Sequence, residues 1–247
     1  TKIGDQMAEF ILSNWDNDDT NPGKYILNGW KGSSTETEIY IPGEYNGRQM
    51  SLKNLKIFPT SMTMLQLEEL NSKKVQLETT DLFGAFENNS TVINLDLSGL
   101  DTSQVINMSS MFSYCSGLTS LDVSQFQTEN VIERDAVFGN CNKLKIIDLS
   151  QCHWNNISLS MFAGIQSNVP FIVISPADGI KNYDFSNLRP LSTMHLTANK
   201  GSFSNQTNEK TEHLDRYVYE SRETLETAIR NLQDTNHPCY PTYLFLQ

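Results

Sequence analysis

The chain has 247 residues, enough for one large domain or two small ones and for a sizeable buried core. Its 18 Lys and Arg stand against 29 Asp and Glu, and the net charge of −11 argues against nucleic acid or an anionic membrane surface as the main partner. Hydrophobic residues make up 38% and charged residues 19%, so the balance falls to neutral polar types: 69 Ser, Thr and Asn, a bias that suits stacked turns and solvated β surfaces better than helix bundles.

No apolar run approaches the ~18 residues a membrane helix needs, and direct membrane insertion is not expected. Four cysteines without a Cys-x-x-Cys are too few for a disulfide scaffold. At the N-terminal end, Ile3, Met7, Phe10 and Ile11 fall at helical spacing, yet FILSNW (10–15) serves equally as a strand pairing with KYILNGW (24–30) across the turn DNDDTNPG (16–23). Either way residues 1–64 form an N-terminal cap, because a stacked array must hide its first apolar edge.

A repeat follows. LDLSGLDTSQVINMSSMFSYCSGLTS starts at Leu95 and LDVSQFQTENVIERDAVFGNCNKLKI at Leu121, and a third copy opens at Ile147 with IDLSQC, 26 residues apart each time. The apolar columns are Leu95/Leu121/Ile147, Leu97/Val123/Leu149, Leu100/Phe126/Cys152, Val105/Val131/Ile157, Phe112/Phe138/Phe162 and Leu118/Leu144/Val169. L-x-L reads as a short strand with alternate side chains inward, and the segment around the Phe as a turn or short helix on the opposite side. One coil cannot bury its own apolar edge, so stacked coils are required, and the fold class is α+β, β-rich: a short leucine-rich-repeat-type parallel β-solenoid over residues 65–175. Phe86 stands nine residues before Leu95, as Phe112 does before Leu121, which places a degenerate coil upstream, and VPFIVIS (169–175) supplies a further strand.

These copies resemble the BspA-like leucine-rich-repeat surface proteins, in their 26-residue form close to LDLSxFDTSxVTNMSxMFxxCSxLTS. Leu95–Ser98, Asp101–Ser103, Val105, Asn107–Met108, Met111–Phe112, Cys115–Ser116 and Leu118 carry the match, and KYILNGWKGSSTETEIYIPGEYNG (24–47) is similar to the segment that opens such arrays. The resemblance implies a secreted or wall-attached bacterial protein associated with adhesion to host proteins or cells. Arg134 departs from it where the family has Met, and Asn89 and Ile165 stand in the Cys column.

Residues 176–247 lack the repeat and read as a small α+β cap or module: strands at 193–197 and 216–219, a helix over 222–233 with Ser221 as N-cap, and a closing strand at 243–246.

Stacking also makes outward columns. Asp96/Asp122/Asp148 and Ser98/Ser124/Ser150, with Gln125 and Gln151 beside them, form a polar strand face that binds a ligand or is simply solvated, since carboxylates ~5 Å apart in water repel by only about 0.8 kcal/mol. Glu133 and Arg134, with Glu129 and Asp135, add a cluster outside the consensus. Cys115 and Cys141 share an inward column and read as buried thiols, because in-register side chains point the same way. Cys239 is free or paired with Cys152. The acidic turn at 16–23 has some calcium-loop ligands but lacks the later Glu, and reads as solvated. Trp15, Tyr25, Trp30, Tyr40 and Tyr45 make either a packed cap or a sugar-binding surface. His153, His195, His213 and His237 are scattered, with no catalytic, metal or phosphate motif, so no enzyme, metal or cofactor is expected. The expected function is an extracellular, cell-surface or cell-wall binding module, monomeric, whose strand face meets a host or surface protein or glycan. The alternatives are a structural spacer and carbohydrate binding at the aromatic end.

Overall fold

The structure, a computed structural model, describes residues 10–144, 146–149, 152 and 159–164, and three further strands at 171–174, 194–197 and 218–219. β1 (Trp15–Asp18) and β2 (Lys24–Trp30) pair antiparallel, with Trp15 opposite Trp30. The hairpin therefore forms, but its first strand is WDND; Leu12–Asn14 instead make a turn of 3-10 helix. The N-terminal residues 1–9, where the helical spacing began, lie outside the described residues.

From β2 onward the chain advances by parallel pairing. β2 lies beside β5 (Arg48–Leu52), which lies beside β7 (Gln76–Leu77), while β4 (Glu44–Tyr45) pairs antiparallel with β5. A bridge from Val75 to Leu100 carries this first seam one coil further. A second seam runs β3 (Glu38–Pro42), β6 (Met64–Glu68) and β8 (Asn94–Asp96), with Leu65 beside Leu95. It resumes with β9 (Leu121–Asp122) and β10 (Ile146–Asp148) in the register the repeat predicts, Leu121 beside Ile147 and Asp122 beside Asp148. β11 (Phe171–Ile174) falls where VPFIVIS was read as a strand and pairs with β10. β12 (Met194–Thr197) and β13 (Val218–Tyr219) then extend the same ladder in parallel, so the pairing does not stop where the recognisable repeat does. The helix expected at 222–233 and the strand at 243–246 lie outside the described residues.

A third seam joins the turns on the opposite side. Asp81, Asn107 and Glu133 bridge in parallel, and alternate amides reach across coils: Ser110 to Asp135, Phe112 to Val137, Tyr114 to Gly139. The amides between them close local turns instead, as Met111 to Met108 and Ser113 to Ser110. This alternation places Ser110, Tyr114, Ala136 and Asn140 at positive φ, the left-handed region L residues ordinarily avoid, at the same columns in successive coils. Around Phe86, Phe112 and Phe138 the segment is thus a stack of turns, and in the next coil Leu159–Phe162 form a turn of 3-10 helix, so both expected forms occur.

The core is a set of columns. Phe58, Phe86, Phe112, Phe138 and Phe162 stack in parallel with centroids 6.5, 5.7, 5.9 and 5.6 Å apart, and Trp15 closes the first ring edge-on at 5.9 Å. Cys115 and Cys141 are free and buried, each donating its thiol to the preceding coil's Phe carbonyl, Phe86 and Phe112 respectively. Cys152 donates likewise to Val123. Burial pushes both free thiols up to about 12. Thr102, fully buried, exchanges two hydrogen bonds with the Gln127 backbone and so joins adjacent coils where no ladder bond does.

The β-rich repeat fold is as expected, and the parallel solenoid is realised in part: the sheets are open, and among the described residues β8 ends a three-stranded sheet and β9 begins a separate one. Between these coils the turn-side amides, the Phe112–Phe138 stack, the Cys141 thiol and the Thr102–Gln127 pair carry the stacking; Phe stacks, thiols and turn amides also join the neighbouring coils, where the strands pair as well.

Candidate ligand-binding groove on the strand face

The outward positions of a strand are every second residue, and in β8 and β9 the inward ones, Leu95 and Leu121, are locked in the core. This leaves Asn94, Asp96 and Ser98 of one coil beside Ser120 and Asp122 of the next. With Met64 and Gln66 of β6 and Gln125 at the following corner they line a groove of about 490 Å³. The groove lies over the break in the strand seam. That volume falls within the range of roughly 300–1,000 Å³ typical of ligand sites.

Both aspartates are held by their own chain. Asp96 Oδ1 accepts from the Ser98 amide at 3.1 Å and its hydroxyl at 2.7 Å, and Asp122 Oδ1 accepts from the Ser124 amide at 2.8 Å. These are Asx turns, which explain why D-x-S recurs at the strand exit: the carboxylate satisfies an amide that turns out of the ladder. Among the described residues, none of the ion pairs reaches either carboxylate; the cations pair Lys24 with Glu78, Lys31 with Asp16 and Lys73 with Glu44. Among the described residues the groove is therefore acidic without an internal counter-ion.

The corner needs glycine. A Cβ on Gly99 would sit 2.4 Å from both the Leu67 carbonyl oxygen and the Glu68 carbonyl carbon, so the chain can bend this tightly against β6 only without a side chain.

Of the residues singled out in the sequence, the groove brings together Asp96, Ser98, Asp122 and Gln125. Ser124 acts through its amide on Asp122, and Asp148 stands beside Asp122 in the ladder. Ser150 and Gln151 lie outside the described residues. Glu133 and Arg134 are placed elsewhere, on the turn seam, where Glu133 bridges to Asn107 and Arg134 Nη1 donates to the Ile132 carbonyl. Arg134 stands in the column of the buried Met108, and burial lowers its pKa while its Nε has no partner. Reasoning from the repeat missed Met64, Gln66, Asn94 and Ser120. Asn94 and Ser120 share a column two residues before Asp96 and Asp122, so the strand period alone would have found them; Met64 and Gln66 belong to a coil of irregular length.

Two rival sites have structural explanations. In the acidic turn, Arg48 donates to the carbonyls of Asp19, Asn21 and Lys24 and lies 3.6 Å over the Tyr25 ring, so a guanidinium occupies the oxygen cluster a cation would need. Asp18 turns on Thr20, whose hydroxyl and amide lower its pKa. Of the aromatic residues, Trp15 lies edge-on to Trp30 and Phe58 and Phe10 edge-on to Tyr45, while Tyr40 donates its hydroxyl to Glu68. Trp15, at 2% exposure, offers no sugar-stacking face. No helix among the described residues is long and apolar enough to cross a membrane.

No curated protein matches the sequence. The chain is similar to a leucine rich repeat protein from T. pallidum (TpLRR), known from a crystal structure, with 14% identity over 87% of this chain and 98% of that one and a TM-score of 0.46. The family model described as "Mycoplasma protein of unknown function, DUF285" matches residues 55–172 and 80–205, more than half of the length. Strand-turn coils of 26 residues and a family match that spans them identify the chain as a member of this BspA-like leucine-rich-repeat family.

Proposed function

We propose that the chain is a protein-binding repeat module, a short parallel β-solenoid capped at its N-terminal end, which meets its partner through the groove over β6, β8 and β9. The observation that carries this reading is the groove's departure from periodicity. A spacer needs only ladders that repeat from coil to coil, as the Phe, Cys and Asp columns do. A 490 Å³ concavity at an interruption of the strand seam is not such a ladder. Repeat surfaces bind by shape and by many weak polar contacts, and this groove sets amides, hydroxyls and carboxylates beside the apolar Met64, Leu65 and Leu95. Family membership supports an extracellular, cell-surface setting and an adhesive role, with binding rather than catalysis as the activity.

The test is binding of the purified chain to a panel of matrix proteins, mucins and glycans, with Ser120→Trp filling the groove. Binding lost in that variant, with thermal stability unchanged, supports the strand-face reading. Binding that survives it refutes that reading. A panel without any ligand above an unrelated acidic control favours the spacer.

A further inference from the structure

Resting on the strand-face reading, we infer that the groove's occupant is a basic side chain, a guanidinium above all, on an exposed segment of a partner protein. Three features of the lining converge on this chemistry. First, Asp96 and Asp122 stand on neighbouring coils, and their Asx turns use Oδ1 in both, leaving Oδ2 of each for a ligand. No cation of the described chain neutralises either. A guanidinium presents five donors in a plane and can address two carboxylates at once, which an ammonium does less well. Second, the rest of the lining suits the stem and the edges of such a side chain. Met64 offers a soft apolar wall to the methylenes, and the side-chain oxygens of Gln66, Asn94 and Gln125 can accept the remaining donors. Third, the lining contains no aromatic ring, so a sugar finds no stacking platform, and two carboxylates repel an acidic glycan.

The groove runs from the paired strands β6 and β8 across to β9, where ladder bonds are missing. Where strands pair, a sheet face is a shallow pleat. Here the coils are held together on the turn side, and between β8 and β9 the strand side carries no ladder bonds. The chain's net charge of −11 draws basic partners toward it at long range, while the groove selects at contact.

The experiment is a calorimetric titration with an octapeptide of alternating Arg and Thr, and with its citrulline counterpart, which keeps the shape and removes the charge. The proteins are the unaltered chain, Asp96→Asn/Asp122→Asn, Ser120→Trp, and Asp19→Asn/Glu87→Gln as a control that removes the same charge outside the groove. Asn retains the side-chain oxygen of the Asx turn, so the groove variant should keep its fold, which circular dichroism checks. The expected result is binding of the arginine peptide, about tenfold weaker in the groove variant, abolished by Ser120→Trp, and changed by less than about twofold in the control. Equal binding of the citrulline peptide, or equal loss in the control, overturns the inference by reducing it to net charge. A protein ligand from the panel that is blocked by Ser120→Trp but indifferent to Asp96→Asn/Asp122→Asn also overturns it, while leaving the strand-face reading intact.

Discussion

Truncating the middle rung of the phenylalanine stack tests whether the coils are welded by their core. Phe112 is fully buried, with Phe86 at 5.7 Å on one side and Phe138 at 5.9 Å on the other. Phe→Ala in a packed interior costs roughly 3–5 kcal/mol in transfer and cavity terms, and each stacked pair contributes about 0.5–1.5 kcal/mol beyond area. Phe112→Ala should therefore fall at the upper end, about 4–5 kcal/mol. Phe58 is half-buried, with one stacked neighbour at 6.5 Å and an edge contact to Trp15, and Phe58→Ala should cost about 2–3 kcal/mol. Phe83, 48% exposed and outside the stack, is the control and should lose less than about 1 kcal/mol. Urea unfolding followed by far-ultraviolet circular dichroism gives all three. A linear array also predicts that the Phe112→Ala transition broadens, because a broken central interface uncouples the coils on either side. If Phe112→Ala were no more costly than Phe83→Ala, the stack would be a consequence of folding and not one of its causes.

Other expectations follow from single contacts. Gly99→Ala should destabilise by about 2 kcal/mol or more, because its methyl would overlap the β6 backbone, whereas Gly29→Ala, with open space around it, should change thermal stability little. Cys115 and Cys141 should resist iodoacetamide at mildly alkaline pH in the folded chain and react in urea. Their folded pKa of about 12 exceeds the ordinary 9.0, so the unfolded chain holds fewer protons between those values and stability falls as pH rises through that window. The fall should be shallower in Cys115→Ala/Cys141→Ala than in the unaltered chain, and parallel curves would refute the assignment. Arg48→Lys should cost about 1–2 kcal/mol and speed amide exchange in β1 and β2, since an ammonium cannot both stack on Tyr25 and span three carbonyls; added calcium should not restore it.

The parts of the fold that were legible in the sequence are those in which side-chain periodicity and backbone register coincide. Leu95, Leu121 and Ile147 are 26 residues apart and occupy equivalent places in the coils, and Phe86 announced an upstream coil whose rungs run back to Phe58. What escaped was carried by the main chain or by irregular spacing. Coil 38–64 has no L-D-L-S signature, yet β3 pairs with β6 as faithfully as β9 pairs with β10. β12 and β13 were read as strands, but no periodicity indicated that they would prolong the ladder. The seam break is invisible in composition, because Leu95–Ser98 and Leu121–Ser124 are nearly identical in pattern, yet β8 pairs only back to β6 and β9 only forward to β10. Hence the Asp column was legible and the groove beneath it was not.

That division bears on how such an array acquires a site. A coil of this kind is bonded to its neighbours at strand, corner and turn, by backbone ladders, a threonine and a thiol, and the strand bonds can lapse without separating the coils. Between β8 and β9 the strand bonds lapse while the turn amides of Ser110, Phe112 and Tyr114 and the Phe112–Phe138 contact persist. The lapse occurs on a face whose outward residues are free of the turn's positive-φ constraints, so substitution there is cheap. Stability resides on the turn side and in the core columns, and specificity is left to the strand side. Outward changes at Asn94, Ser120 or Gln125 should accordingly alter binding without lowering the melting temperature, whereas changes at Ser110 or Ala136 should do the reverse.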